Sequence, residues 1–315
     1  MHKSSTWLIL GTLVFCCGGT LWAEQVNFAA GETAAAYLNL PVNARQTGMA
    51  GAGVAVADDL GALTVNPAGL SRMQGAELQA LHGFWVQDIF YDYLAFGQPV
   101  DAGTAVAASL AYFNFGSMDK YVMDAIGNPV AQGTFTPYVY LLTAGVGQSV
   151  LPELGVGLNL KYLSQNIDTS SSTAFAVDLG AAYATDIKGL NVGLTLSNIG
   201  SELDGKSLPL DVNLGAAYQL ALQGLGQDQL NVTAEAAIPT MASDNYDVML
   251  GAEYWYNRLL ALRVGYQLDA DAGLGGIEGL TAGLGFNYQM LSVQFGFTSL
   301  GVLGEVYQIG LGLKL

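Results

Sequence analysis

From Glu77 to Leu315 the chain keeps one beat. Apolar residues alternate with small or polar ones in segments of about ten, and a turn signal closes each segment. A period of two gives a strand with two unlike faces. About fourteen such segments follow one another without an intervening helical pattern, which predicts an all-β, closed antiparallel barrel. The strands are expected near 77–85, 89–99, 104–115, 136–149, 153–166, 173–184, 189–199, 209–222, 229–238, 245–256, 259–268, 278–289, 291–299 and 305–315. In the last of them Tyr307, Ile309, Leu311, Leu313 and Leu315 share one face, and Gln308, Gly310, Gly312 and Lys314 share the other. From 280, Leu280, Ala282, Leu284, Phe286 and Tyr288 alternate in the same way with Thr281, Gly283, Gly285 and Asn287.

Alternation alone does not say whether the apolar face covers a core or meets lipid. The N-terminus and the composition decide. His2 and Lys3 precede the apolar run from Trp7 to Phe15, and Leu21-Trp22-Ala23 offers a cleavage site before Glu24. The run is too short to span a bilayer, so residues 1–23 read as a secretory signal peptide. Cys16 and Cys17 raise a lipoprotein reading, against which Phe15 stands where a lipobox needs a small residue. Cleavage after Ala23 would leave no thiol, and so no disulfide and no cysteine metal site. The chain is 51% apolar and 11% charged, where a soluble domain carries about 25% charge. That deficit favours lipid contact and predicts the bacterial outer membrane. The formal charge of −16 argues against a nucleic-acid partner, which requires basic patches.

With an even strand count both barrel ends lie on the periplasmic side, and connections alternate between short inner turns and long outer loops. The inner turns are expected at 100–103, 150–152, 185–188, 223–228, 257–258 and Met290. The outer connections are expected at 116–135, 167–172, 200–208, 239–244, 269–276 and 300–304, with 86–88 as a short exception. Tyr246, Tyr254, Tyr256, Tyr266, Phe286, Tyr288 and Tyr307 fall on the outward face, several near strand ends where interfacial girdles sit.

Residues 24–76 differ in texture, being rich in Ala and Gly. A short helix is expected after Gly31-Glu32-Thr33 through Leu38. A second, capped by Asp58-Asp59, is expected through Val65, with Pro67 stopping it and holding Asn66 extended. The run Asn43-Ala44-Arg45-Gln46-Thr47-Gly48-Met49-Ala50-Gly51-Ala52 leads to Val54-Ala55-Val56-Ala57-Asp58-Asp59 and closes with Asn66-Pro67-Ala68-Gly69-Leu70. This resembles the opening signature of the PorV/PorQ family (UPF0164) of outer-membrane barrels. More distantly it is similar to the FadL-type long-chain fatty acid transporters, which carry an Asn-Pro-Ala motif in an N-terminal hatch. The resemblance implies a hatch over 24–76 folded inside the lumen of a barrel over 77–315. It marks Arg45, Gly48, Met49, Gly51, Asp58, Asp59, Asn66, Pro67, Ala68 and Gly69 as the hatch motif. A plug is also physically required, because about eight strands already make the widest barrel that side chains alone can fill. Arg45 and Arg72 are candidates to anchor it to inward carboxylates.

Lys161, Asp178, Asp211, Glu235, Asp247, Glu253, Arg263 and Lys314 fall on the inward face. Symmetric closure of the 167–172 connection would set Lys161 opposite Asp178, a turn holding Asn257 to Leu259 would set Glu253 opposite Arg263, and Glu235 is expected opposite Asp247. Structural ion pairing and a substrate path both stand as readings of these charges. In the first strands apolar residues occupy both faces. Phe90, Leu94 and Phe96 are expected inward with Asp92, and Tyr91, Tyr93 and Ala95 outward, with Phe113 and Phe115 also inward. Such a lining would either bind a hydrophobic molecule or pack against the hatch.

No catalytic constellation is visible. His82 is the one histidine after residue 23, no Gly-x-Ser-x-Gly surrounds a serine, and the glycine-rich stretches lack the context of a phosphate loop. Neither a metal site nor a cofactor is expected. Asp269-Ala270-Asp271 fits no EF-hand spacing. Three non-enzymatic functions remain. The first is passage or binding of small hydrophobic compounds. The family resemblance implies the second, a role in a type IX-like secretion system with exported proteins as partners. The third is a structural or surface-antigen barrel.

Overall fold

The computed structural model describes residues 33–222, 227–240, 246–268 and 278–315. The expected signal peptide with Cys16 and Cys17, the start of the first expected helix, and the expected loop at Asp269-Ala270-Asp271 lie outside the described residues. In chain order the strands are β1 (Glu77–Phe84), β2 (Phe90–Asp101), β3 (Thr104–Asn114), β4 (Met118–Met123), β5 (Pro129–Phe135), β6 (Tyr138–Leu151), β7 (Leu154–Ile167) and β8 (Ser170–Ala184). Then follow β9 (Leu190–Gly200), β10 (Asp211–Ala221), β11 (Gln229–Pro239), β12 (Asp247–Tyr256), β13 (Leu260–Leu268), β14 (Leu280–Tyr288), β15 (Leu291–Ser299) and β16 (Glu305–Lys314). Fourteen of them close into one antiparallel barrel, while β4 and β5 form a separate hairpin between β3 and β6. β1 seals the ring by pairing with β2 on one side and β16 on the other, from Glu77 opposite Lys314 to Phe84 opposite Tyr307.

The faces follow the pleat. Along β13, Leu260, Leu262, Val264 and Tyr266 are exposed on the outside of the ring while Ala261, Arg263 and Gly265 are buried within it. An apolar exterior around a charged and glycine-lined interior is the arrangement of an outer-membrane barrel. Strand limits lie within a few residues of the expected ones. Two connections differ. The long outer loop at 116–135 holds the β4–β5 hairpin. The expected loop at 167–172 is instead a two-residue turn at Asp168-Thr169, because Ser170, Ser171 and Ser172 stay in the ladder opposite Ile167, Asn166 and Gln165. This moves the register by two residues and sets Asp178 opposite Asn159 rather than Lys161. Likewise Glu235 stands opposite Met249, and Asp247 opposite Ala237, so the expected like-charge pair does not exist.

The faces of β2 are the reverse of the expectation. Leu94 and Phe96 are exposed on the outer wall, with Phe90 and Asp92 on the same face, while Tyr91, Tyr93 and Ala95 point inward and are buried. Asp92 accepts its outward hydrogen bond from His82 Nδ1 at 2.7 Å, next to the rings of Phe84 and Phe90. Phe113 lies inside as expected.

Residues 33–76 run through the lumen. The entering end is high, where Ala34 N–H donates to Ser207 of an outer loop. A 3₁₀ turn at Ala36–Asn39 replaces the expected helix. Helix α1 (Ala44–Thr47) starts at Asn43, whose side chain accepts from the Arg45 and Gln46 amides. Helix α2 (Ala62–Val65) is a single turn, and a 3₁₀ turn at Pro67–Arg72 follows it. Leu60, Leu63, Leu70 and Met73 bury themselves against Leu81, Tyr91, Tyr93 and Phe113 of the wall, forming the main apolar core of the molecule.

Candidate functional site in the barrel lumen

Three things hold the lumenal segment: small residues on both sides, buried ion pairs, and backbone groups satisfied by wall side chains. The inward glycines are the seat. A Cβ at Gly180 would overlap Asn66 Oδ1, one at Gly157 the Pro67 backbone, and one at Gly193 the Val54 carbonyl. Met49 lies over Gly251 and Gly265, and Gly48 lies against Gly283. Gly69 itself has no room for a Cβ beside Ala57. The segment thus reaches the wall from β6 round to β15 at backbone contact distance.

Asn66 is fully buried and uses its whole amide. Its Nδ2 donates to Val54 O at 2.8 Å and to Ala181 O at 3.0 Å, and its Oδ1 accepts from Ala68 N–H at 3.1 Å. One side chain therefore caps the Pro67–Arg72 turn, ties it to the preceding loop, and ties both to β8. Pro67 suits the first position of that turn because no amide is needed there.

Arg45 projects from α1 to a carboxylate cluster. Its Nε and Nη2 donate to both oxygens of Glu253, each at 2.9 Å, and its Nη1 donates to Asp58 at 2.7 Å and Asp59 at 3.3 Å. Glu253 also accepts from Arg263 Nε at 2.7 Å and from Asn231 Nδ2 at 2.9 Å. Asp59 turns back to accept from Gly61 N–H, which leaves α2 shorter than its expected span. Arg72, the other candidate anchor, makes no ion pair with a described carboxylate.

A second cluster lies on β7, β8 and β9. Lys161 Nζ reaches Asp178 at 2.8 Å across a diagonal of the sheet, and donates to Asn198 Oδ1 at 2.9 Å. Asn198 sits at φ 64 where β9 carries an extra residue opposite β8, and this bulge turns its amide inward. Asn159 bridges Asp178 Oδ2 to the Leu63 carbonyl. Glu235 does a related task alone, accepting from the Gly53 and Val54 amides at 2.8 and 2.9 Å.

The sequence therefore pointed to Lys161, Asp178, Glu253 and Arg263, which the fold brings into two clusters. It also pointed to Phe90, Leu94 and Phe96, which the fold places outside. Asn159, Asn198, Asn231, Tyr91 and Tyr93 were missed. Beneath the segment, on the side of Glu77 and Lys314, the lumen widens into a polar cavity of about 670 Å³.

A family model described as PorV, Type IX secretion system protein PorV, matches residues 23–243. No curated protein sequence matches the chain. Among solved structures the chain is similar to the toluene transporter TbuX of Ralstonia pickettii, with 14% identity, TM-score 0.58, and coverage of 87% of this chain and 98% of that one. It is similar to the Pseudomonas putida toluene transporter TodX at 13% identity and TM-score 0.59, covering 85% and 95% of the two chains. A Pseudomonas aeruginosa FadL homologue shares 11% identity at TM-score 0.53 over 86% and 98%. At these identities the likeness is one of fold.

Proposed function

Because the chain belongs to the PorV family of type IX secretion system proteins, we propose that it is an outer-membrane barrel that works closed, serving protein secretion at its outer rim. On this reading residues 24–76 are a standing hatch, and the motif from Arg45 to Gly69 is its fastening. The observation that carries the reading is the seating of the lumenal segment on wall glycines, with Glu253 and Asn66 clamping it at two ends. The apolar lining at Tyr91, Tyr93 and Phe113 is covered by the hatch's own side chains. Outside the membrane the β4–β5 hairpin offers Tyr121, Met123 and Ile126 to solvent, an apolar surface of the kind that meets another protein.

A second reading is passage of small hydrophobic compounds, favoured by the shared fold with the toluene transporters. One deletion strain separates the two. The secretion reading expects exported proteins to accumulate in the periplasm, with restoration by the full chain but not by a chain whose 118–135 hairpin is replaced with a short Gly-Ser turn. Normal secretion together with lost uptake of toluene would transfer the conclusion to the second reading.

A further inference from the structure

Of the ten basic residues in this acidic chain, five line one cavity: Arg45, Arg72, Arg258, Arg263 and Lys314. We propose that this periplasmic mouth of the barrel is a binding site for a small anionic solute bearing a carboxylate or phosphate group. The inference goes beyond the secretion reading and stands whether or not that reading holds.

The volume of about 670 Å³ suits a small molecule, since such sites run from roughly 300 to 1,000 Å³. The charges sort into spent and unspent. Arg45 and Arg263 are committed to Glu253, with Asp58 and Asp59 on Arg45, and Lys314 meets Glu77 at 3.4 Å. Arg72 and Arg258 have no carboxylate within 4.0 Å among the described residues. Arg72 is half-buried at the end of the 3₁₀ turn, and burial draws its pKa below the ordinary value, with Asp58 only partly opposing. A desolvated cation without a counter-ion is unfavourable unless something supplies one.

Two further features point into the same space. Arg258 is the middle residue of the three-residue turn between β12 and β13, at φ 57 after Asn257 at φ 49. That position ordinarily takes glycine. Here the turn carries an arginine that lines the cavity. Arg263 lies 5.5 Å over the Trp255 ring with its side chain fully buried, so it adds positive charge to the cavity wall, while among the described residues Arg72 and Arg258 are the guanidinium groups without a carboxylate partner there. Gln219, Gln229 and Asn287 add neutral groups around the mouth.

The test is isothermal titration of the full chain in detergent with citrate and with inorganic phosphate. Saturable binding of either anion is expected, and which of them binds identifies the group recognised. Arg72→Gln/Arg258→Gln should weaken it at least tenfold. Lys188→Gln, a cation on a periplasmic turn outside the cavity, should leave it unchanged. If the double variant does not fold, Arg258→Gln alone decides, because that turn residue is exposed. Weaker binding there supports the site and unchanged binding overturns it. Heat without saturation for both anions overturns the proposal, as does equal loss with Lys188→Gln. Neither secretion nor toluene uptake is read, so failure here leaves the functional reading untouched.

Discussion

Arg45 and Glu253 stand 208 residues apart in the chain and meet through two hydrogen bonds of 2.9 Å inside the barrel. Glu253 also holds Arg263, so one fully buried carboxylate answers two guanidinium groups. Removing the shared partner strands Arg263 and leaves Arg45 only Asp58 and Asp59, whereas removing Arg45 leaves the Glu253–Arg263 pair intact. Glu253→Ala should therefore cost about 3–5 kcal/mol, and Arg45→Met clearly less. Denaturant unfolding of the detergent-solubilised barrel measures both. Equal costs would show that the pairs do not share their energy through Glu253.

The glycine seats predict a different failure. Gly180→Val puts branched carbons where Asn66 Oδ1 lies. The wall should still close, because Gly180 keeps its ladder position opposite Gly157. The hatch should lift instead. Overpacking of this kind costs roughly 1–3 kcal/mol, and planar-bilayer conductance should rise above the closed wild type. An unchanged conductance would mean that the hatch has room to shift.

Asn66→Asp keeps the shape and reverses the polarity. The amide donors to Val54 O and Ala181 O are replaced by an acceptor facing two carbonyls. An unsatisfied buried group costs about 1–3 kcal/mol, and a charged one more. Protease access to residues 33–76 in intact cells should increase, and it should increase less for Asn66→Ala.

On the first strands, substitution separates lipid-facing from lumen-facing roles. Phe90→Ser/Phe96→Ser changes the outer wall and should leave the conductance closed. Tyr91→Ser/Phe113→Ser removes the rings under the hatch, each fully or almost fully buried. It should both loosen the hatch and destabilise the barrel, by roughly 2–5 kcal/mol per deleted ring on the scale of core truncations.

The outer hairpin carries a pH dependence. Asp124 accepts from the Asn128 and Ile126 amides, and these bonds hold its pKa below the ordinary carboxylate value. A group with a lowered folded-state pKa contributes stability above its unfolded value and loses it as pH falls through the folded one. Proteolysis between β4 and β5 should therefore stay constant from neutral pH down to the carboxylate range and rise only below it. Asp124→Ala should be cut faster at neutral pH.

The alternation exposed the barrel because lipid and lumen enforce opposite chemistry on alternate residues. Glu253 and Arg263 were legible for the same reason: a three-residue turn from Asn257 to Leu259 fixes their register. Arg45 was visible only as a candidate, since nothing local tells it which carboxylate lies across the lumen. The β2 inversion had a signal that aromatic richness masked. Gly97 shares its parity with Tyr91, Tyr93 and Ala95, and the other wall strands put glycine inward. Counting glycines rather than apolar side chains would have set the face. The Lys161–Asp178 contact survived a two-residue register change because a lysine stem is long enough to reach a diagonal neighbour.

The placement of α1 against β14, β15 and β16 carries a consequence for biogenesis. Residues near position 45 leave the translocon early, yet their docking ground is delivered last. While insertion is under way, Arg45 has only Asp58 and Asp59 of its own segment until β12 brings Glu253, and β1 has no second neighbour until β16 arrives. Hatch docking and seam closure are thus coupled to the same late event. An assembly intermediate arrested before the final strands would be both open at the side and unstoppered.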